Sequence, residues 1–266
     1  MKRSRFSRLF SSAYLIVILL FIYLPIGYLV LFSFNEGKSM TSFTGFSLKW
    51  YESMFTNRTM IESISTTLIV AVTATVISTV VGTIAAIGLS KAKRVVRSIV
   101  LEINNLPVMN PDIVTAIGLM LLFISVKFQL GMVTLILSHI SFCIPYVILT
   151  VMPKIRQLDD NVAEAALDLG ATPFKALTKV ILPQIYPAIL SGALIAFSMS
   201  LDDFVVSYFN TGAGTNTISM YVYSMKRYNL SVNAMSTLIV AVVTLILIFV
   251  NLIPWIKDKK TQKEET

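Results

Sequence analysis

Stretches of about 20 apolar residues, each free of lysine and arginine, recur along this sequence at 12–32, 64–88, 107–126, 131–151, 186–208 and 236–254. Each is long enough to cross a hydrocarbon core of about 30 Å at about 1.5 Å per residue. The expected fold class is an all-α polytopic membrane protein with six transmembrane helices. Composition agrees: 14% of the 266 residues are charged and 55% are apolar, whereas soluble domains carry about 25% charged residues. The first stretch follows a basic segment, as a signal peptide does. It is too long for a signal core and no small-residue cleavage pattern follows, so a retained helix is expected.

The net charge of +8 is a topology signal rather than a nucleic-acid footprint. Sixteen of the 22 lysines and arginines fall at 2–8, 91–97, 154–179 and 257–263, in alternate loops. Cytoplasmic loops carry such an excess, which predicts that both termini lie in the cytoplasm of a multi-pass protein whose surroundings are membrane lipid. The largest outer loop is 33–63, and 127–130 is a tight turn. Neither is long enough for an independent capture domain, which needs about 40–60 residues. No G-x-x-x-x-G-K-[ST] phosphate loop occurs, so any use of ATP falls to another chain.

One long segment reads as soluble: "DDNVAEAALDLGATPFKALTKVILP", residues 159–183. Asp159 or Asp160 is placed to cap a short helix, with carboxylates near its positive end. Val162, Ala165, Ala166 and Leu169 recur at helical spacing as an apolar stripe, flanked by Glu164 and Asp168. Gly170 is placed to end that helix in the left-handed conformation. Thr172 caps a second helix and Pro173 fits its first turn. Phe174, Leu177 and Ile181 continue an apolar face that Pro183 is expected to end. Two readings follow: a knob that fits a partner's groove, or an amphipathic segment lying on lipid headgroups. Headgroup-binding helices carry larger apolar residues and a richer basic face, so the pattern tilts toward the knob.

The run "EAALDLGATPFKALTKVILP" resembles the EAA motif of membrane subunits in binding-protein-dependent ABC importers, with Glu164, Ala165, Ala166, Gly170, Ile181 and Pro183 at its positions. "INNLPVMNPDIV", "SHISFCIPYVILTV", "SLDDFVVSYFNTG" and the outer "LKWY" are similar to permeases of the bacterial spermidine/putrescine importers. The resemblance runs along nearly the whole chain. It implies the type I ABC importer (MetI-like) transmembrane fold in the cytoplasmic membrane. It also implies a coupling helix pair at 159–183, where Glu164, Ala165, Ala166, Asp168 and Gly170 meet an ATPase. The implied partners are two copies of an ABC ATPase subunit, a second homologous permease forming a heterodimer, and an extracellular polyamine-binding protein. ATP and Mg would be bound by the ATPase, and no cofactor by this chain. The expected plan is an N-terminal segment, first helix and outer loop at 1–60, a transport core at 61–254 and a cytoplasmic tail at 255–266.

Three acidic residues fall inside the apolar stretches: Asp112, Asp202 and Asp203. A carboxylate at the bilayer centre costs roughly 2.5–3.5 kcal/mol on insertion scales, so these should face an aqueous path or partner helices. All-acidic charge suits a cationic substrate. Pro107 and Pro111 are expected to break the helix before Asp112. Asp112 then either favours the positive end of the helix starting there or contacts a cation at a discontinuous helix. Asp202 and Asp203 are adjacent, so on one helix they diverge by about 100°, and only one is expected to line the path. Ser200, a turn earlier, adds a hydroxyl or packs. Methylene runs of a polyamine suit aromatic walls. Trp50 either supplies such a wall near the entrance, as the resemblance implies, or anchors at the membrane interface. Phe204, Tyr208 and Phe209 are expected to pack.

His139 is expected to hydrogen-bond between transmembrane helices rather than relay protons, and Cys143 to pack. One histidine and one cysteine do not complete a tetrahedral site, so no metal is expected. The reading is a polyamine permease subunit and not an enzyme. Its alternatives are an ABC permease for a different small solute and an intramembrane aspartate enzyme. The latter needs two converging carboxylates, which neighbours on one helix do not supply. A passive channel would leave the 159–183 segment without a purpose.

Overall fold

A computed structural model describes residues 5–158, 160–226, 228–245 and 248. In chain order its helices are α1 (Arg5–Ser33), α2 (Lys49–Thr56), α3 (Arg58–Lys91), α4 (Arg94–Met109), α5 (Asp112–Ser125) and α6 (Met132–Arg156). They continue as α7 (Asp160–Asp168), α8 (Pro173–Ala176), a π-helical turn (Leu177–Ile181), α9 (Leu182–Asp202), α10 (Val205–Asn210) and α11 (Ile218–Ser224). The last is α12 (Ser231–Leu245). Lipid offers no water to peptide groups, so long apolar stretches satisfy their backbone as helices. Among the described residues the one extended pairing is an isolated bridge between Asn35 and Phe46.

Among the described residues four helical stretches are long and apolar enough to cross a membrane: Ala13–Ser33, Arg58–Lys91, Met132–Arg156 and Pro173–Asp202. The pair α4 and α5 passes the same test as one broken span, bent by 107°. The expected run at 236–254 is helical through Leu245, and most of the remainder lies outside the described residues, as does the 255–266 tail.

Four details differ from expectation. Helix α3 begins at Arg58, so the outer loop is shorter than 33–63. Pro107 remains inside α4, and the break falls at Asn110–Pro111, where both residues take extended ψ values of 149° and 136°. The run at 186–208 is also broken, at Asp203–Phe204. Pro183 does not end its helix but sits in the first turn of α9. The π turn ahead of it routes Leu182 N to Leu177 O, so the helical backbone passes through the proline without interruption.

The chain forms two compact units, Met1–Ile61 with Met225–Thr266, and Glu62–Ser224. In the first, Phe32, Trp50, Leu230 and Ala234 make a small core. The segment after α1 is built around the buried Asn35. Its Nδ2 donates to Ser39 O at 2.9 Å and Ser42 O at 3.0 Å, and its Oδ1 accepts from Thr44 N at 2.8 Å. In the second unit α6 runs through the centre. Val147 and Val151 of α6 pack with Ala86 of α3, Ala116 of α5, Ile185 and Ala196 of α9 and Val206 of α10. The expected turn at 127–130 is there, with Lys127 in the left-handed region at φ 56°.

Candidate functional site

Two helix breaks and one continuous helix, α6, frame a cavity of about 310 Å³. Asp112 lies at its α5 wall, in the first turn after the Asn110–Pro111 break, with Thr115 one turn on. Asp202 and Asp203 border it from the second break, and Phe142 and Tyr146 face it from α6. Among the described residues no lysine or arginine lines it.

The expectation that only one of the adjacent aspartates lines the path is corrected here. Helix α9 ends at Asp202, and Asp203 turns extended at φ −61° and ψ 133°, so the helical divergence of about 100° does not apply. All three carboxylates border one cavity. They differ in what they already hold. Asp112 and Asp202 are exposed. Asp203 is largely buried, and its carboxylate accepts two free amides at the start of α10, Val206 N at 3.2 Å and Ser207 N at 2.7 Å. The three do not gather into a cluster suited to a metal ion.

Behind this wall sits His139, completely buried. Its Nδ1 is 2.6 Å from Ser200 Oγ on α9, and its Nε2 is 3.1 Å from Ser207 Oγ on α10. The interhelical role expected of this histidine is therefore present. Ser200 is buried with it and does not border the cavity, so of its two expected roles the structure shows packing. Cys143 packs as expected, its thiol 3.4 Å from Ala196 O.

Phe204 was expected only to pack. It does stack obliquely with Tyr208 and Tyr223, with ring centroids 5.5 and 4.7 Å away, but it also borders the cavity. Tyr146 and Phe142 escaped the sequence reading. The signal was available, since both follow His139 at helical spacings of seven and three residues along one side of α6. Trp50 belongs to the other compact unit. There its Nε1 donates to Asn35 O at 2.7 Å, Lys49 Nζ lies 4.8 Å from its ring centre, and its side chain is buried.

The segment after α6 has the predicted helix–glycine–helix form. Gly170 has φ +84°. Gly170 N bonds to Leu167 O at 2.9 Å and Ala171 N to Ala166 O at 3.0 Å, a Schellman ending. Thr172 caps α8 by accepting from Lys175 N at 3.3 Å, with Pro173 in the first turn. Asp159, and the side chains of Asp160 and Val162, lie outside the described residues. Glu164, Ala165, Asp168 and Gly170 are exposed and Ala166 is half-buried. Leu169 and Phe174 are 90% and 73% exposed, so the knob presents apolar groups that this chain does not cover.

An extensively apolar helical chain with an acid-lined cavity and an exposed helix–glycine–helix segment has the build of a membrane transport subunit. Residues 78–261 match the family of binding-protein-dependent transport system inner membrane components, and the chain belongs to that family. It is 36% identical to the putrescine transport system permease protein PotI of Escherichia coli, across 95% of this chain and 93% of that one. It is 37% identical to the spermidine/putrescine transport system permease protein PotC of Haemophilus influenzae, across 88% of this chain and 92% of that one. The fold is also similar to a chain in the crystal structure of a bacterial ABC transporter involved in alginate import. That match has a TM-score of 0.73 and 16% identity, and covers 96% of this chain and 99% of the other. The protein is thus a multi-pass permease subunit with the ABC importer fold.

Proposed function

We propose that this permease subunit carries polyamines, putrescine or spermidine, across the cytoplasmic membrane. The observation that supports it best is the cavity bordered by Asp112, Asp202 and Asp203 together with Phe142, Tyr146 and Phe204, with no lysine or arginine in its lining among the described residues. Ammonium groups find carboxylates there, and the methylene runs between them find aromatic faces. Permeases named for putrescine and spermidine transport among the relatives point the same way.

In this reading a second permease completes the pathway as a heterodimer, and a binding protein delivers the substrate from outside. Two ATPase copies bind ATP and Mg and close on the knob formed by α7, Gly170 and α8. Glu164, Ala165, Ala166, Asp168 and Gly170 form the contact, and Leu169 and Phe174 supply its uncovered apolar groups. Motion passes from the knob through the π turn into α9, whose far end carries Asp202. Both termini lie in the cytoplasm, in keeping with the alternate basic loops. The chain performs no bond-breaking itself.

The test is uptake of labelled putrescine and spermidine into proteoliposomes holding the whole transporter. Asp112→Asn and Asp202→Asn should each lower uptake about tenfold or more, the loss of one charge-assisted contact. Unimpaired polyamine uptake by both variants would remove the substrate assignment.

A further inference from the structure

We infer that His139 is a positioning residue for the acidic cavity: its imidazole fastens together the two sides of the α9–α10 break and fixes the place of the Asp203 carboxylate. The inference deepens the cation-path reading above and rests on it.

The geometry carries the argument. The ring comes from α6, a third helix, and spends one nitrogen on each side of the break: Nδ1 on Ser200, before it, and Nε2 on Ser207, after it. The same Nε2 lies 3.6 Å from Asp203 Oδ2. That oxygen also accepts Ser207 N at 2.7 Å, so ring, hydroxyl residue and carboxylate meet at one point.

Helix α10 is held on its other side as well. Asn210 Nδ2 donates to Ala116 O of α5 at 3.1 Å, and the Thr134 hydroxyl of α6 lies 2.8 Å from Asn210 O. Helix α5 carries Asp112 and α9 carries Asp202. From the histidine the link to α9 runs through the His139–Ser200 bond, beside the weaker contact of the Cys143 thiol with Ala196 O. The imidazole therefore ties the end of α9, which carries Asp202, to the start of α10, whose amides hold the Asp203 carboxylate. A broken helix without such a fastening leaves its end residues free to turn, and carboxylates that turn do not present a fixed site. His139 does not line the cavity, so its effect reaches a substrate only through Asp203 and the break.

The test uses the whole transporter, with ATPase, second permease and binding protein, in proteoliposomes. His139→Phe keeps a ring and removes both polar contacts, while His139→Gln keeps an amide able to reach one partner. At saturating binding protein, putrescine uptake should fall about tenfold in His139→Phe and less in His139→Gln, a coupling typical of residues in one hydrogen-bond network. In an Asp203→Asn background the same His139→Phe change should cost less than about twofold, because the carboxylate it positions is gone. Losses that simply multiply, or full uptake by an assembled His139→Phe complex, would overturn the inference. Where His139→Phe does not assemble, His139→Gln in the Asp203→Asn background carries the same comparison.

A second readout is independent of the transported solute. With Cys143→Ala removing the native thiol, Phe204→Cys on the cavity wall is modified by a cationic and a neutral methanethiosulfonate, each forming a mixed disulfide as methanesulfinate leaves, and the ratio of rates reports the negative field there. His139→Phe should lower that ratio severalfold, and an unchanged ratio would overturn the inference. A ratio that responds, while the transporter with native Phe204 and His139 takes up no polyamine, would sink the substrate reading and leave the positioning role standing.

Discussion

Gly82 on α3 stands so close to Val147 on α6 that a Cβ built on it would lie 2.8 Å from both the Cβ and the Cγ1 of the valine. Gly192 on α9 approaches the same residue, its Cβ position 3.4 Å from the Val147 Cα. Three helices of the second unit thus meet at one valine, two of them bare of side chain. In lipid, where burial of apolar surface gives helices no reason to associate, such close backbone approach supplies the packing contacts that do.

Gly82→Ala should therefore destabilise the subunit by about 1–3 kcal/mol, since the clash falls on a valine Cβ that cannot swing away. Gly88→Ala, on the same helix but with open space around it, should be neutral or stabilising by up to about 1 kcal/mol through helix propensity. Thermal denaturation of the purified subunit in detergent compares the two. Equal shifts would mean that the α3–α6 approach carries no packing energy.

The same turn geometry appears at two helix ends with different residues. Gly170 closes α7 at φ +84°, and Lys127 closes α5 at φ 56°, with Lys127 N bonded to Ile124 O and Phe128 N to Phe123 O. A side chain in that region costs about 1–2 kcal/mol. Gly170→Ala should strain the knob and lower the ATPase-coupled uptake, while Lys127→Gly should raise thermal stability by up to about 1 kcal/mol. Opposite signs are the expectation. Loss of stability in Lys127→Gly would show that the lysine side chain holds something the backbone does not.

What was legible in the sequence followed from patterns tied to one element. Apolar runs between basic loops marked the helices, and the Gly170, Thr172 and Pro173 punctuation gave the knob its turn and cap. The breaks were harder. Proline 107 and proline 111 read alike in sequence, yet one lies within α4 and the other begins α5. Nothing in "SLDDF" says that the helix stops between its aspartates, because no glycine or proline marks the place. The stop is set by a local cap, the Asp203 carboxylate on α10 amides three and four residues on, together with a tertiary partner, His139 across the break. The partner of Ser200 was not legible for the same reason, since it lies 61 residues away.

Trp50 ties the outer segment to α2. Its indole N–H is the bond to Asn35 O, and Asn35 in turn holds Ser39, Ser42 and Thr44. Trp50→Phe removes that bond and leaves a buried carbonyl unpaired, at a cost of about 1–3 kcal/mol. Asn35→Ala should loosen the same segment by releasing its loop contacts. Both variants should speed cleavage between residues 36 and 46 by protease added outside sealed cells or right-side-out vesicles. A Trp50→Phe variant with native protease resistance and reduced uptake would instead assign the ring to the substrate path.

The Asp203 carboxylate performs two tasks that different substitutions separate. It accepts Val206 N and Ser207 N at the start of α10, and it adds negative charge to the cavity. Asparagine serves helix starts about as well as aspartate, because its amide oxygen accepts the same N–H groups. Asp203→Asn should therefore keep the thermal stability of the subunit close to native while lowering uptake of a cationic substrate. Asp203→Ala loses both functions, and its stability should drop by a further amount of about 0.5–2 kcal/mol. Denaturation midpoints in detergent, read beside uptake in proteoliposomes, make the comparison. If Asp203→Asn unfolds as readily as Asp203→Ala, the charge itself holds the break closed, and the division of labour between Asp203 and the two exposed aspartates does not stand.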